Sequence, residues 1–339
     1  MEPREQWRSS LGFVLAAAGS AVGLGNLWGF SYRASEGGGA AFLVLYVLVV
    51  LVVCLPVLVA EMVLGRSTFS SSLIAPVRAA GARWSPLGWL FLLAPLGIGS
   101  YYAVLMGWTL DTFFHSLFVG LPADISEAQD FFGSISEGSS VLLGQLISLV
   151  LTAVIVAAGV RGGIERLTKW CMPILFILLL ILAIWASTLS GAWEGYKEFL
   201  SWDKAEFFKP STIRNAFAQA FFSLSLGIGI MITYASYLGR KNKLPKEALA
   251  VASLDTIVGL LAGLMIFPIM ISFGLKEAIN ESTIGALFIT LPTGLGSIGL
   301  TGRFVAVIFF LLAYIAAITS SVSLLEVPVS SLMDRLNWN

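Results

Sequence analysis

Charged and metal-ligating side chains are scarce in this sequence of 339 residues. Only 12% of the residues are charged, and there are one histidine, His115, and two cysteines, Cys54 and Cys171, which lie far apart inside apolar runs. This scarcity argues against a disulfide framework, a cysteine-rich metal site and an enzyme built on a histidine-centred catalytic cluster. The formal net charge is zero, so no basic excess points to a nucleic-acid partner.

Apolar residues are abundant instead. They make up 57% of the chain, and the mean hydropathy of +0.88 exceeds what the surface of a soluble domain carries. Helical runs of about 18 or more apolar residues are long enough to cross a bilayer. The sequence therefore predicts an all-α integral membrane protein, with eight spans near 11–33, 40–65, 87–118, 139–158, 170–190, 213–238, 248–274 and 303–332.

The basic residues are concentrated on alternate connections between these predicted spans. Thirteen of the twenty lie in segments of one side: Arg4, Arg8, Arg66, Arg78, Arg83, Arg161, Arg166, Lys169, Arg240, Lys241, Lys243, Lys246 and Arg335. The positive-inside rule therefore predicts a multi-pass protein of the plasma membrane with both termini in the cytoplasm. The stretch 276–303 is interrupted by glycine and proline, so we expect a folded external loop with short helices there rather than a ninth span.

The first predicted span contains a stretch that is unusual for a membrane helix, GSAVGLGNLWGF at residues 19–30. In lipid, irregular backbone survives at mid-depth only where it faces protein or a cavity. Gly23, Gly25 and Asn26 are compatible with such a break, and equally with close helix packing through small residues. A second Gly-x-Gly at 227–229, inside the sixth predicted span, favours the break.

Two interrupted spans at an offset of five cross the membrane in opposite directions, which is the pattern of an inverted repeat. Paired, interrupted spans in corresponding positions of two halves indicate a secondary transporter whose site lies at the bilayer midplane. The half-helix N-termini can bind an anion, and the unwound carbonyl groups can bind a cation. One break can therefore bind an anionic group and a cation at the same place.

The same stretches resemble the neurotransmitter:sodium symporter family. GSAVGLGNLWGF is similar to the family's helix 1 signature, and further segments follow in the family's order: EGGGAAFLVLY, LPVLVAEMVLGR, YYAVLMGWTL, GIERLTKWCMP, FFSLSLGIGIMITYASY, FITLP and AAITSSVSLLEVP. The resemblance implies a LeuT-like inverted-repeat transporter fold with discontinuous helices 1 and 6, in one transmembrane domain over 1–339. The first five-helix repeat would cover about 10–190 and the second about 213–339.

The resemblance implies two sodium sites and no organic cofactor. The first would use the carbonyl groups of Ala21 and Ser223, the Asn26 amide, the Ser223 hydroxyl and the Asp255 side chain, completed by the substrate carboxylate. The second would use the carbonyl groups of Gly19, Val22 and Ala316 with the hydroxyl groups of Thr319 and Ser320. Taken without the resemblance, Thr319 and Ser320 are explained by hydrogen bonds to their own helix.

Asp255 stands in the otherwise apolar seventh span, where the family most often has asparagine. A carboxylate at mid-membrane is costly and marks a functional site by default. Family members that need chloride use the anion to offset the sodium charge, and a fixed carboxylate can take that role. We therefore expect chloride-independent transport, with a proton carried back on Asp255 as a further possibility.

The expected substrate is a neutral amino acid. Gly23, where monoamine carriers of the family have aspartate, leaves space for a substrate carboxylate. The resemblance places the substrate among Ser20, Ala21, Leu24, Gly25, Ile98, Tyr102, Phe222, Ser223, Ser225, Ile228, Ser320 and Leu324. These side chains are largely apolar, which favours an aliphatic or aromatic substrate, although pocket packing separates one methylene from another by only about 1–3 kcal/mol. Without the resemblance, Tyr102 and Phe222 are ordinary packing residues.

Gates are implied at both ends of the site. The inner gate would join Arg4 to Asp334, with Trp7 and Tyr237 nearby, although Arg4 is also explained as a flanking positive charge. Tyr102 and Phe222 would close over the substrate from outside. The family's outer-gate arginine is replaced by Gly29 here, so no outer salt bridge of the usual kind is expected, and Arg33 is a candidate substitute.

The resemblance covers helices 1–8, whereas family members continue for several more helices. The expected fold is therefore truncated after helix 8, as a fragment or as a short form completed by a partner chain or a homo-oligomer. The main functional hypothesis is a sodium-coupled symporter that imports an amino acid through the lipid bilayer. The alternatives are an amino-acid-binding or sensing homologue without a transport cycle and, less favoured, a channel.

Overall fold

The computed structural model describes residues 5–138, 140–275, 283–336 and 338. Within these ranges the protein is all-helical, and the only extended pairing is an isolated bridge between Gly39 and Trp202. The described part of the chain is therefore a bundle of α-helices. Backbone N–H and C=O groups form hydrogen bonds within each helix, as the predicted membrane-spanning protein requires.

The first half of the chain forms eight helices within the described residues. They are α1 (Ser10–Ala21), α2 (Gly25–Glu36), α3 (Ala40–Thr68), α4 (Ala75–Ala80), α5 (Ala82–Phe118), α6 (Ile125–Ser136), α7 (Ser140–Ala157) and α8 (Val160–Ala186). The helix α6 begins at an Asp124 cap, where the backbone N–H of Glu127 and then the Ser126 hydroxyl lower the pKa of the carboxyl group.

The second half continues with shorter helices and two long ones. They are α9 (Ala192–Phe199), α10 (Lys204–Phe208), α11 (Pro210–Ser223), α12 (Ile230–Ser236), α13 (Leu244–Ser272), α14 (Ala286–Gly296) and α15 (Gly299–Leu336). The short helix α14 lies in the predicted external loop, of which residues 276–282 are outside the described part.

Among the described residues, five helices are long and apolar enough to cross a membrane: α3, α5, α8, α13 and α15. The count rises to seven if the bent pairs α1–α2 and α6–α7 are each one span. The sixth predicted span, 213–238, corresponds to α11 and α12, which are separated by residues 224–229 and are not among these candidates. Seven of the eight predicted spans therefore correspond to candidate spans of the described residues when the bent pairs are counted, and the sixth is divided between two shorter helices.

The start of α8 corrects one sequence expectation. The sequence predicts a connection over residues 159–169, but the helix begins at Val160, ten residues before the predicted span. Gly159 adopts φ +79°, and the Glu5 carboxylate accepts hydrogen bonds from the backbone N–H groups of Val160 and Arg161 at 2.9 Å each. This side chain caps the first turn from a distant part of the sequence.

The helices α13 and α15 form the centre of the bundle. Most of each helix is buried, α15 packs against α5, α8 and α7, and α1 packs against α13, α8 and α15. The helices α7 and α8 expose rows of large apolar side chains, including Leu143, Ile177 and Ile184, as expected for faces that meet lipid. The two helix breaks therefore lie against the most buried part of the protein.

Candidate functional site between two helix breaks

The first break separates α1 from α2. The helix α1 ends at Ala21, α2 begins at Gly25, and the two axes differ by 59°. The Gly23 N–H group donates to Asn26 Oδ1 at 3.2 Å, and the Leu24 N–H group donates to the Tyr102 hydroxyl at 3.4 Å. Side chains thus replace the helical carbonyl partners of these two amides, as mid-membrane backbone requires.

The second break separates α11 from α12. Gly227 and Gly229 both have φ +78°, and Ser225 has φ +52°, a left-handed conformation that is costly for a residue other than glycine. The Gly227 N–H group donates to Glu61 Oε1 at 2.7 Å. The Ser225 hydroxyl donates to the Ser20 carbonyl oxygen at 3.2 Å, so the two breaks touch each other directly.

A cavity of about 150 Å³ lies between the two breaks. Ten of the twelve predicted substrate-site residues line it: Ser20, Ala21, Gly25, Ile98, Tyr102, Phe222, Ser225, Ile228, Ser320 and Leu324. Six other residues complete the lining: Gly23, Asn26, Phe221, Leu226, Ile230 and Ser323. Of the other two predicted residues, Leu24 is buried nearby and Ser223 lies in the carboxylate cluster described next.

A fully buried carboxylate lies beside this cavity, at Asp255 of α13. Its Oδ1 accepts a hydrogen bond from Asn26 Nδ2 at 2.7 Å, and the Ser223 hydroxyl lies 2.8 and 2.7 Å from its two oxygens. The Tyr46 hydroxyl donates to Oδ2 at 3.0 Å. All of these partners are neutral, so the carboxyl group is surrounded by hydroxyl and amide groups.

A second cluster of oxygen atoms surrounds Ser320 on α15. Its hydroxyl lies 3.5 Å from the Gly19 carbonyl oxygen, 3.3 Å from that of Val22 and 3.3 Å from that of Ala316. The Thr319 hydroxyl donates within its own helix, to the Ile315 and Ala316 carbonyl oxygens at 3.2 and 3.0 Å. The structure thus brings the five residues predicted for the second ion site close together. The Thr319 hydroxyl is hydrogen-bonded within its own helix, as expected for this residue without the resemblance.

Phe222 and Tyr102, predicted to close over a bound substrate, lie apart in this structure. Tyr102 is buried and bonded to the first break, but 55% of Phe222 is exposed. The Phe222 ring lies against Gly25, where a Cβ would come within 2.5 Å of its Cε1 atom. In the part of the chain that the structure describes, no ring contact joins Phe222 to Tyr102. The cavity is therefore not sealed by this pair.

The opposite end of the cavity is closed. Trp7 packs edge-on against Tyr234 and Tyr237, and its indole N–H group donates to the Tyr234 carbonyl oxygen at 2.9 Å. The Tyr237 hydroxyl donates to Glu326 Oε1 at 2.5 Å. Asp334 accepts from the Ser71 N–H group at 2.6 Å. Arg4, the predicted inner-gate partner of Asp334, lies outside the described residues.

The position of the missing outer-gate arginine is open space. A Cβ placed on Gly29 would meet nothing within 4 Å. Arg33, one turn further along, has a buried Nη1 atom for which the described residues supply no hydrogen-bond acceptor. The structure therefore shows no salt bridge at Arg33 that replaces the family's outer gate.

Three buried polar residues of this site were missed by the sequence analysis. They are Tyr46, which contacts Asp255; Glu61, which contacts Gly227; and Gln219, whose Nε2 lies 3.4 Å from the Gly25 carbonyl oxygen. Glu61 carried a usable signal, because it is the one acidic residue in the apolar run 40–65. Tyr46 and Gln219 carried none that separates them from packing residues.

Glu61 is expected to stabilise the second break. Replacing Glu61 with alanine leaves the Gly227 N–H group without its acceptor, which costs about 1–3 kcal/mol for a buried donor. Replacing it with glutamine keeps an acceptor oxygen at the same place. Thermal unfolding of the purified protein should therefore show a clear loss of stability for Glu61→Ala and a smaller loss for Glu61→Gln. Equal losses in the two variants would mean that the hydrogen bond to Gly227 is not what Glu61 contributes.

Comparisons with known proteins agree on one family. A model of the sodium:neurotransmitter symporter family matches residues 4–130 and 125–339. An uncharacterized sodium-dependent transporter of Methanocaldococcus jannaschii is 35% identical, over 98% of this chain and 70% of the relative. The uncharacterized sodium-dependent transporter YhdH of Bacillus subtilis is 38% identical, over 98% of this chain and 75% of the relative.

A solved structure is similar along nearly the whole chain. The crystal structure of MhsT in complex with L-phenylalanine superposes with a TM-score of 0.89 and 41% identity, covering 99% of this chain and 76% of that one. At lower identity, the sodium-dependent nutrient amino acid transporter 1 of Drosophila persimilis is 25% identical over 99% of this chain and 60% of its own length.

Proposed function

Because the chain belongs to the sodium:neurotransmitter symporter family, we propose that it imports a neutral amino acid together with sodium by alternating access. The observation that carries this proposal is the cavity between the two helix breaks, which are joined by the hydrogen bond from Ser225 to the Ser20 carbonyl group. A bound zwitterion would contact both halves of the protein at this point. The two broken helices, five spans apart, would be the equivalent members of an inverted repeat.

The Asp255 cluster is the proposed first sodium site. Among the described residues, the hydrogen-bond partners of this carboxylate are the neutral groups of Asn26, Tyr46 and Ser223, and the ion pairs of the described residues lie elsewhere. A buried charge without a counter-ion is costly, and a sodium ion would supply the missing positive charge. The carbonyl groups of Ala21 and Ser223 and the substrate carboxylate would complete an all-oxygen shell, which suits a hard cation.

The oxygen cluster around Ser320 is the proposed second sodium site. The carbonyl oxygens of Gly19, Val22 and Ala316 lie within hydrogen-bond reach of one hydroxyl, at the C-terminal end of α1, where the helix dipole favours a cation. Thr319 Oγ1 is 3.0 Å from the Ala316 carbonyl oxygen. A cation bound beside this pair would take the place of their hydrogen bond, so both oxygens could serve as ligands.

The cavity favours an apolar amino acid. Gly23 has no side chain, which leaves the substrate carboxylate room near the first sodium site. Ile98, Ile228 and Leu324 face the cavity with Phe221 and Phe222, and these groups suit an aliphatic or aromatic side chain. The relative MhsT was solved with L-phenylalanine, so L-phenylalanine and L-leucine are the first substrates to test.

Chloride independence follows from the fixed charge of Asp255 in this proposal. The carboxylate would offset the charge of the nearby sodium ion, so no mobile anion would be needed. In addition, each sodium ion moving inward through 100 mV contributes about 2.3 kcal/mol. Two coupled ions would then support roughly a two-thousandfold accumulation of substrate before any sodium concentration gradient is counted.

The conformation supports alternating access. Trp7, Tyr237 and Glu326 close one end of the cavity, which the charge bias assigns to the cytoplasm, and Phe222 leaves the other end open. We propose that this is an outward-open state. Binding of substrate and sodium would bring the Phe222 ring over the cavity before the inner contacts separate.

Uptake by the purified protein in lipid vesicles tests the proposal. An inward sodium gradient should drive accumulation of L-phenylalanine or L-leucine, potassium in place of sodium should abolish it, and gluconate in place of chloride should leave it unchanged. Uptake that needs no sodium would contradict the symporter proposal, and uptake that collapses in gluconate would contradict chloride independence. Sodium-dependent binding without any uptake would instead identify a binding or sensing homologue.

A further inference from the structure

A second cavity lies at the face of the protein that the charge bias assigns to the cytoplasm. Its volume is about 740 Å³, and it opens between the N-terminal segment 6–10 and the connection from α12 to α13. Five basic residues line it, Arg8, Arg240, Lys241, Lys243 and Lys246, with one acidic residue, Glu247. The cavity therefore carries a strong excess of positive charge.

The single acidic residue is already engaged. Glu247 is buried and accepts hydrogen bonds from the Ser10 hydroxyl at 2.6 Å and from Asn242 Nδ2 at 3.5 Å. The ion pairs that the structure gives for its described residues join Lys169 to Glu165 and Lys209 to Glu206, on other parts of the surface. The five basic side chains thus face the cavity without a carboxylate partner among the described residues, and an anion there would relieve their mutual repulsion.

The walls of this cavity are fixed by contacts outside it. Arg66 Nη1 donates to the Asn242 carbonyl oxygen at 2.6 Å, and the Arg240 guanidinium group lies 5.7 Å from the centre of the Phe69 ring. On the other side of the cavity, the backbone N–H group of Trp7 donates to the Tyr237 carbonyl oxygen at 3.2 Å. The basic side chains therefore project from backbone segments that contacts with the rest of the protein hold in place.

The position of the cavity relative to the predicted membrane indicates which kind of anion it binds. The helices α1 and α13 begin at Ser10 and Leu244, at the edge of the cavity, so the cavity lies where two apolar helices leave the water. Leu11 and Leu249, in the first two turns of these helices, are 62% and 47% exposed. A ligand with a phosphate group and acyl chains fits both features, because the phosphate can lie in the basic cavity and the acyl chains can cover these leucines.

We propose that this cavity binds the headgroup of an anionic phospholipid of the cytoplasmic leaflet. The phosphate contacts Lys243 and Lys246 on α13 and Arg8 on the N-terminal segment, and the acyl chains lie along α1 and α13. Basic pockets beside spanning helices on the cytoplasmic side are suited to such headgroups. Because the lipid bridges the N-terminal segment and α13, it also stabilises the closed inner side formed by Trp7 and Tyr237.

Lipid binding to two matched double variants tests this proposal. Lys243→Gln/Lys246→Gln removes two charges from the cavity, and Arg83→Gln/Arg166→Gln removes two exposed charges from the same side but outside it. Short-chain phosphatidylglycerol is titrated into each protein in neutral detergent, with short-chain phosphatidylcholine and inorganic phosphate as parallel titrations. Binding is measured by calorimetry, and thermal unfolding shows that each variant is folded.

The expected result is a phosphatidylglycerol affinity about thirtyfold lower in the lysine variant, as two basic residues near a lipid surface predict, and nearly unchanged in the arginine variant. Equal losses in both variants would overturn the site, because they would show binding by overall charge. Binding of phosphatidylcholine as strong as that of phosphatidylglycerol would also overturn it. Inorganic phosphate that binds as tightly as the lipid would overturn the lipid as ligand.

Discussion

Replacing Asp255 with asparagine is expected to lower sodium-driven amino-acid uptake in chloride-free medium by about a hundredfold or more, because removing one partner of a buried charge pair typically costs 3–5 kcal/mol. The substitution keeps the size of the side chain, removes its charge and replaces one of its two acceptor oxygens with an NH2 group. Chloride added to the Asp255→Asn variant should restore part of the uptake, since a mobile anion can then offset the sodium charge. Uptake of labelled L-phenylalanine into vesicles, in chloride and in gluconate, measures both effects.

Asp111 provides a matched control for this experiment. It is a second aspartate in a membrane helix, and it faces Gly144 of α7 rather than the cavity. Asp111→Asn should therefore leave the chloride response unchanged. If Asp255→Asn retains full uptake in gluconate, or if both variants lose it equally, the assignment of Asp255 to the first sodium site is wrong.

Replacing Gly23 with aspartate is the second change with a large expected effect. Gly23 lines the cavity, where an added Cβ would lie 2.9 Å from Ser320 Oγ and 3.0 Å from the Tyr102 hydroxyl. The new carboxylate would occupy the space proposed for the substrate carboxylate, and like charges placed side by side cost several kcal/mol. We expect binding of L-phenylalanine to fall by about a hundredfold or more beyond the effect of crowding.

Gly23→Asn separates charge from crowding, because asparagine has nearly the size of aspartate without the charge. Equilibrium binding of L-phenylalanine and of phenethylamine, which lacks the carboxylate, is measured for both variants. The aspartate variant should bind the amine relatively better than the amino acid, and the asparagine variant should not. Identical behaviour of the two variants would place the substrate carboxylate somewhere other than beside Gly23.

The positions of the two helix breaks could be predicted from the sequence because glycine at mid-membrane has a direct physical meaning. Gly23, Gly227 and their neighbours interrupt apolar runs, and the structure ends α1 at Ala21 and α11 at Ser223. Asp255 was identifiable for a similar reason, since a carboxylate in a hydrophobic span needs partners. The same argument applies to Glu61, which was overlooked although its run contains no other acidic residue.

Other features depend on contacts between distant residues and leave no local signal. The early start of α8 depends on the Glu5 carboxylate, which lies more than 150 residues away in the sequence. Tyr46 reaches Asp255 across the bundle and looks like any other tyrosine in an apolar run. The exposure of Phe222 depends on how distant helices pack in this conformation, and no pattern in the sequence specifies it.

Equilibrium binding of labelled L-phenylalanine at a series of sodium concentrations tests the central claim most directly. If the two breaks bind sodium and the amino acid together, sodium must raise the affinity for the amino acid, and the amino acid must raise the affinity for sodium by the same factor. We expect at least tenfold coupling, equivalent to about 1.4 kcal/mol, which is lost in Asp255→Asn. Amino-acid binding that is equally tight with and without sodium would contradict the account.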